Sequence, residues 1–372
     1  MENMEPKNNR LQSIDALRGF DMFWIMGGPG IIAAFYAIFG GESWTWIHSQ
    51  MEHVPWDGFH FMDLIFPLFL FIAGLSFPFS LDGKHSKQES NRKILFDLLK
   101  RILKLILLGL IYNGFLKLNF PNVRFASVLA HIGLAWFFGA LIYMYSQKTL
   151  TVALWIVAIL VGYGALNLLI LSPEATGSNP FLPENNIVCQ FDRWFMPGVL
   201  YNGIFDPEGI LSVIPAIATA LMGMLTGHYL HRNSVHSPAS KVAMYLLTGI
   251  TLIVISLCVN ILIPINKALW SSSFTLLTGG ICILLFAIFY WVIDVKQWRK
   301  WAFFFRVIGL NSITIYMAQA IINFYGISDF FLGGIAYKLP KDVGWLMISM
   351  GYVALCWLFL YFLYRKKVFL KV

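Results

Sequence analysis

Hydrophobic residue types make up 58% of this 372-residue chain and charged types 12%, about half the charge that a soluble domain carries. That balance excludes an ordinary soluble enzyme and points to an integral membrane protein. The net charge of +8 invites a nucleic-acid reading, but membrane proteins gather Lys and Arg in cytoplasmic loops, so the placement of the basic residues has to decide.

A membrane-crossing helix needs about 20 mainly apolar residues. Ten segments meet that length: 17–40, 61–81, 98–117, 126–146, 150–172, 209–229, 242–264, 273–294, 303–325 and 343–364. The chain is therefore expected to be all-α, a polytopic transmembrane helical bundle forming one domain over 1–372. With an even number of spans the two termini share a side. If both are cytoplasmic, the cytoplasmic segments hold 21 Lys and Arg and the outer segments hold 6. That bias sets the orientation and accounts for the net charge without nucleic acid. Residues 1–16 then form a cytoplasmic segment, 173–208 the longest outer loop and 365–372 a cytoplasmic tail. The opening M-E-N-M-E-P-K-N-N-R has no signal-peptide core, so the first span is expected to stay.

In chain order, R-L-Q-S-I-D-A-L-R-G-F-D runs from Arg10 to Asp21. Asp15, Arg18 and Asp21 fall three apart and share one helical face, as an ion network anchoring the helix or as part of a site for a polar cytosolic ligand. Gly27, Gly28, Pro29 and Gly30 break or kink the first span, and a broken helix at membrane depth lines a cavity or packs on protein. From Glu52, E-H-V-P-W-D-G-F-H-F-M-D places His53, Trp56, Asp57 and His60 directly before the second span. Asp63 sits just inside that span, which Pro67 and Pro78 are expected to interrupt. Ionisable groups at membrane depth are costly and usually functional, although His and Trp also serve as interface anchors. His53 and Asp63 therefore read as a proton-handling pair, since a carboxylate bonded to an imidazole fixes its tautomer and raises its basicity.

The fourth span opens with R-F-A-S-V-L-A-H-I-G and brings His131 to the same side as His53. Further on, F-D-P-E-G reads as a helix start, with Asp206 as N-cap, Pro207 at the first helical position and Glu208 in the first turn. Glu208 would also lie close to the level of His53. G-M-L-T-G from Gly223 to Gly227 fits the small-residue packing of membrane helices. The four cysteines imply no disulfide framework. No Cys/His spacing resembles a zinc site, so no metal is expected, and there is no P-loop or dinucleotide fingerprint. The internal repeat of many transporters is not visible.

The motifs R-L-Q-S-I-D-A-L-R-G, H-V-P-W-D-G-F-H-F-M-D-L-I-F-P, F-D-P-E-G-I-L, P-I-N-K-A-L-W-S, V-I-D-V-K, G-L-N-S-I-T-I-Y and Y-R-K-K-V-F follow one another in that order. In these the chain resembles the heparan-α-glucosaminide N-acetyltransferase family, with its bacterial membrane relatives, from Arg10 to the C-terminus. The resemblance implies transfer of acetyl from cytosolic acetyl-CoA to the amine of a glucosamine or amino-sugar glycan on the far side of a bacterial cytoplasmic (inner) membrane. The family's active-site histidine matches His53, and the acid that follows it matches Asp63. Arg18, Asp15, Lys93, Lys100, Arg101 and Lys104 are then expected on the acetyl-CoA side. Trp56, Asp57, His131, Glu208, Asn266, Trp270 and Asn311 are expected around the acceptor.

Three departures stand out. The lysosomal enzyme of the family carries a large extra domain before this core, and a core without it is expected here. His131 stands where the family has an arginine, and Ala318, Gln319 and Ala320 replace its G-H-E. These differences point away from a polymeric heparan acceptor and towards a small amino sugar. Its amine, largely protonated at neutral pH, must lose a proton before attacking the thioester. His53 is then a general base or takes the acetyl group itself as a nucleophile. A sugar permease with His53, Asp63 and Glu208 as proton relay, and an O-acetyltransferase of surface glycans, are the competing readings. Pairing of two copies into a homodimer is left open.

A reporter fused after Val372 is expected to behave as cytoplasmic. Periplasmic activity there would overturn the orientation and move His53 to the other face.

Overall fold

The computed structural model describes residues 11–146, 148–232 and 237–370. Lys7, Arg10 and Lys371, which enter the charge bias, lie outside the described residues. Among the described residues there are fifteen α-helices and no strand, with three isolated β-bridges in the loops. In order they are α1 (Gln12–Ile25), α2 (Gly28–Phe39), α3 (Gly41–Ser49), α4 (Phe61–Ser86), α5 (Asn91–Tyr112), α6 (Val128–Tyr145), α7 (Thr149–Leu169) and α8 (Ile187–Phe195). They continue with α9 (Val213–Arg232), α10 (Pro238–Val259), α11 (Ser272–Phe289), α12 (Ala302–Leu310), α13 (Ser312–Ile321), α14 (Phe324–Ala336) and α15 (Lys341–Arg365).

Seven of these are long and apolar enough to cross a membrane: α4, α6, α7, α9, α10, α15, and α11 with the π-helical turn Tyr290–Val295 that extends it. Two bent pairs raise the number to nine, α1 with α2 at 53° and α12 with α13 at 70°. The chain is a multi-pass helical membrane protein. The remaining expected span, 98–117, falls on α5, whose Arg92, Lys93, Asp97, Lys100, Arg101 and Lys104 keep it less apolar than the rest.

The break foreseen at Gly27–Gly30 is present: Gly27 adopts φ +125°, open to glycine, between α1 and α2. Three expectations are corrected. Pro67 and Pro78 do not interrupt the second span, because α4 runs unbroken through both. The segment 303–325 is bent at Asn311, and α14, a short apolar helix foreseen as loop, runs back along α15. The helix expected to start at Asp206 starts at Val213.

α4, α6, α9 and α11 are buried along most of their length and form the inner layer, with α7, α10 and α15 at the periphery. α4 packs most extensively on α9. The contact is backbone on backbone: a Cβ at Gly74 would lie 2.2 Å from Ala220 O, one at Gly223 2.2 Å from Phe71 O, and one at Gly227 2.2 Å from Leu75 O. In lipid, helix association depends on such close packing more than on apolar burial. Gly19 and Gly309 let α1 and α12 meet in the same way. The tight crossings fix α4 against α9 and α1 against α12 beside the interior space described below.

Gly223→Ala is expected to lower the thermal unfolding midpoint of purified protein, with a cost of about 1–3 kcal/mol for forced overpacking. Gly162→Ala on α7, where a Cβ meets open space, is the control that should unfold like the parent.

Candidate active site

The site is organised at the N-terminal end of α4. Asp63 is the third residue of that helix, and its carboxylate accepts the His60 N–H at 2.9 Å, closing a capping box. The same carboxylate lies 2.7 Å from His53 Nδ1, 3.4 Å from the Val54 N–H and 3.4 Å from Lys267 Nζ. A carboxylate only accepts, so Nδ1 carries the ring proton and Nε2 presents its lone pair. The His53 side chain is 55% exposed and that of Asp63 fully buried. The acid is thus a support, and the imidazole is the group a substrate can reach.

Lys267 closes the group from the loop between α10 and α11. Its Nζ lies 2.9 Å from His53 Nδ1 and 3.3 Å from Nε2. Burial pulls the Lys267 ammonium below its ordinary range, while the charges of Asp63 and Glu208 oppose the shift. The loop that carries it is pinned. Asn266 donates to Asp57 Oδ1 at 3.0 Å and accepts the Leu269 N–H at 2.8 Å, and the Gly58 N–H donates to Ile265 O at 2.8 Å. Trp270, at φ +48°, closes the turn with its ring fully buried.

A second ion cluster adjoins the first. The Arg124 guanidinium grips Asp206 through Nε at 2.8 Å and Nη2 at 2.5 Å, and it also bonds Glu208. Asp206 therefore caps no helix. It accepts the Glu208 and Tyr201 N–H groups at 3.0 Å each and ties the 173–208 loop to Arg124. Burial works against the charge on Arg124, but its hydrogen bond to Asp206 and the charges of the two acids push its pKa up. Burial raises the Glu208 carboxyl, with Arg124 opposing it.

His53, Lys267 and Glu208 line one cavity of about 470 Å³, whose other walls include Trp24, Phe66 and Tyr316. A second cavity of about 390 Å³ shares Phe69, Ser312 and Ile313 with the first and is lined by Arg18, Ser76 and Arg101. A third, of about 290 Å³, shares Phe77, Ser80, Arg101 and Trp136 with the second and adds Lys84, Lys100 and Lys104. The three form a row from the basic loop end of the bundle to His53. The broken pairs α1–α2 and α12–α13 contribute Met22, Gly27, Ser312 and Ile313 to its walls.

Of the residues expected on the donor side, Arg18, Arg101, Lys100 and Lys104 are on the cavity walls. Arg101 stacks its guanidinium 4.1 Å from the Trp136 ring, and Arg18 donates to Ser76 Oγ at 3.2 Å. Asp15 sits behind Arg18 at 3.6 Å. Lys93 does not join them; it pairs with Glu89 at 3.2 Å on an exposed turn. Asp21, expected to bracket Arg18, is buried with no hydrogen-bond partner for its carboxylate among the described residues.

Of the residues expected around the acceptor, only Glu208 lines the His53 cavity. Asp57 and Asn266 hold the Lys267 loop. Trp56 packs edge-on against Phe205 and donates to Phe181 O at 2.8 Å, so it anchors the outer loop. His131 is buried between Trp270, on which it stacks at 5.0 Å, and Phe66. Asn311 does not line the His53 cavity: its amide donates to Val368 O at 3.0 Å and accepts the Leu370 N–H at 3.2 Å, tying down the C-terminal segment. Two residues were missed, Lys267 and Arg124. Both are among the few basic residues assigned to the outer side, and that exception to the charge bias was the available signal.

The fold and the site define a multi-pass membrane protein with a His–Asp–Lys centre at one end of a row of internal cavities. The chain belongs to the heparan-alpha-glucosaminide N-acetyltransferase catalytic family, whose model matches residues 10–257. The heparan-alpha-glucosaminide N-acetyltransferase of Mus musculus is 26% identical over an alignment of 427 residues, covering 100% of this chain and 62% of that protein. The Homo sapiens protein of the same name is 25% identical over 422 residues, covering 98% of this chain and 60% of its own length. The chain thus spans about three fifths of the length of these relatives. His53, Asp63, Arg124 and Glu208 fall inside the matched segment and Lys267 beyond it.

Arg124→Met removes the shared partner of two buried acids. It is expected to destabilise the folded protein by about 3 kcal/mol or more, the scale for breaking a buried pair. Thermal unfolding reads the loss, and an unchanged midpoint would show that Asp206 and Glu208 hold without it.

Proposed function

We propose that this chain is a transmembrane N-acetyltransferase, moving acetyl from cytosolic acetyl-CoA to the amine of a small amino sugar on the opposite face. The observation that carries this reading is the row of cavities joining the Arg18–Arg101 end to His53. An anionic nucleotide fits the basic end, where no carboxylate lines the second cavity among the described residues. A long, thin arm fits the apolar passage past Phe69 and Ile313. The thioester at its tip would then lie beside His53. Ten spans with both termini cytoplasmic, α5 among the spans, give this direction, and a cytoplasmic (inner) membrane accompanies it. The donor therefore never has to cross lipid whole.

At the acceptor end the first cavity is large enough for one sugar ring beside the thioester. Glu208 offers a carboxylate to an incoming ammonium. His53 Nε2, oriented through Nδ1 by Asp63, takes a proton from the amine as general base or receives the acetyl group as nucleophile. In either course the acetyl carbon ends on the sugar nitrogen, the C–S bond breaks, and of the two protons that the ammonium loses one ends on the sulfur, which leaves as the CoA thiol, and the other goes to solvent.

The test uses sealed vesicles loaded with labelled acetyl-CoA. Label should appear on external sugar amine. Unmodified sugar accumulating inside would support a permease, and an alkali-labile product an O-acetyltransferase. In the same assay His53→Ala should keep its fold and its acetyl-CoA binding while transfer falls by roughly a hundredfold or more. Asp63→Asn should transfer more than His53→Ala, since the imidazole remains but loses its support. Transfer by folded His53→Ala at the parent rate would sink the mechanism.

A further inference from the structure

Lys267 has an unusual position for a structural lysine. A surface ammonium takes its counter-charge from one acid and otherwise faces water. This one is only 14% exposed, lines the same cavity as His53, and approaches both ring nitrogens of the imidazole. Asp63 is already committed to the His53 Nδ1–H at 2.7 Å and the His60 N–H at 2.9 Å, and its contacts with the Val54 N–H and with Lys267 are longer, at 3.4 Å each. An ammonium holds three hydrogens. Asp63 takes one, which leaves two for acceptors on the imidazole side, where Nζ lies 3.3 Å from Nε2.

We propose that Lys267 is a catalytic residue, the donor that stabilises the oxyanion formed when the thioester carbonyl is attacked beside His53. The inference rests on the acetyltransferase reading above and adds a role that His53 and Asp63 do not fill. Nζ lies 3.3 Å from Nε2, so an acyl carbon within bonding reach of Nε2 brings its oxygen within hydrogen-bond reach of Nζ. The attacking nitrogen, Nε2 or the sugar amine, forms a bond to the acyl carbon, and the carbonyl π pair moves onto oxygen, where the Lys267 N–H donates. When the carbonyl re-forms, the C–S bond breaks and sulfur departs with the electron pair. When the amine attacks directly, the sulfur takes up the proton that the amine passes to His53; when Nε2 attacks, the thiolate leaves first and is protonated from solvent, and the amine then displaces the imidazole from the acetyl carbon and releases its own proton.

Such a donor works best when it is fixed before the reaction, and the α10–α11 loop provides this. Asn266 is bonded to Asp57, Leu269 and Ser271, and Ser271 Oγ donates to Pro264 O at 2.7 Å. Every anchor sits within a few residues of Lys267, so the ammonium can be held at the imidazole while its stem remains buried. Glu208 lines the same cavity and adds a second negative charge that acts on the ammonium.

The test compares steady-state transfer by purified Lys267→Met, Lys267→Arg and Lys267→Cys with that of the parent. Loss of one oxyanion donor should lower kcat about 10²–10³-fold in Lys267→Met, with KM for acetyl-CoA within about threefold, because the bond forms only as the carbonyl is attacked. Lys267→Arg should recover part of the rate. Alkylating Lys267→Cys with 2-bromoethylamine restores an ammonium at nearly the same reach and should restore transfer. Iodoacetamide, which adds a neutral group, should not, and the parent treated with each reagent controls for the native cysteines. Lys267→Met with parent kcat, or equal rescue by both reagents, would overturn the role. His53→Ala in the same series separates the two layers. If it transfers like the parent, the acetyltransferase mechanism itself fails. If it is inactive while Lys267→Met is not, only the role of Lys267 falls.

Discussion

One buried carboxylate sets the geometry of the functional end. An acid removed from water costs several kcal/mol unless donors surround it. Asp63, at the head of α4, collects them from three separate pieces of chain: the turn that begins α4, the segment carrying His53, and the loop between α10 and α11. Each contact satisfies the acid, and two of them also fix a side chain that can act on a substrate. The capping bond holds the start of the helix, the imidazole is set in one tautomer, and the lysine is drawn against it. Structural need and chemical use are met by the same bonds.

The rest of the bundle keeps that arrangement rigid while leaving space beside it. Where α4 meets α9, and α1 meets α12, glycines bring backbones into contact and leave no slack. Where the bundle is open, the helices are broken: α1 passes to α2 and α12 to α13 at sharp angles, and these breaks face the cavities. Irregular backbone at membrane depth is tolerated where it is shielded from lipid and borders an internal space. Tight packing and broken helices thus divide the work between holding the inner wall and opening it.

Much of this was legible in the sequence because it follows from composition and local pattern. Apolar run lengths located the helices, Gly27 to Gly30 marked a break, and the His53–Asp63 pairing followed from the cost of a carboxylate in a span. What was misread depended on partners distant in the chain. F-D-P-E-G has the form of a helix start, yet Arg124, some eighty positions earlier, holds both its acids and the helix begins later. Trp56 and His131 were polar or aromatic residues near the right level, but packing turned one towards the outer loop and enclosed the other against Trp270. Pro67 and Pro78 are breakers by local rule, and the packed environment of α4 accommodates both. Asn311 was assigned by motif alone, whereas its amide is used by the C-terminal segment.

The first and second cavities share Phe69, Ser312 and Ile313 as a common wall, two of the three being hydrocarbon side chains. A continuous file of water there would join the two faces of the membrane and let protons run down any electrochemical gradient. Narrow apolar passages resist that by dewetting. On the proposed function, a chain that hands an acyl group across a bilayer faces the same demand as an ion channel in its shut state. Phe69 and Ile313, apolar and shared by both cavity walls, are the side chains placed to meet it, so that a route fit for an acyl thioester would stay closed to hydronium.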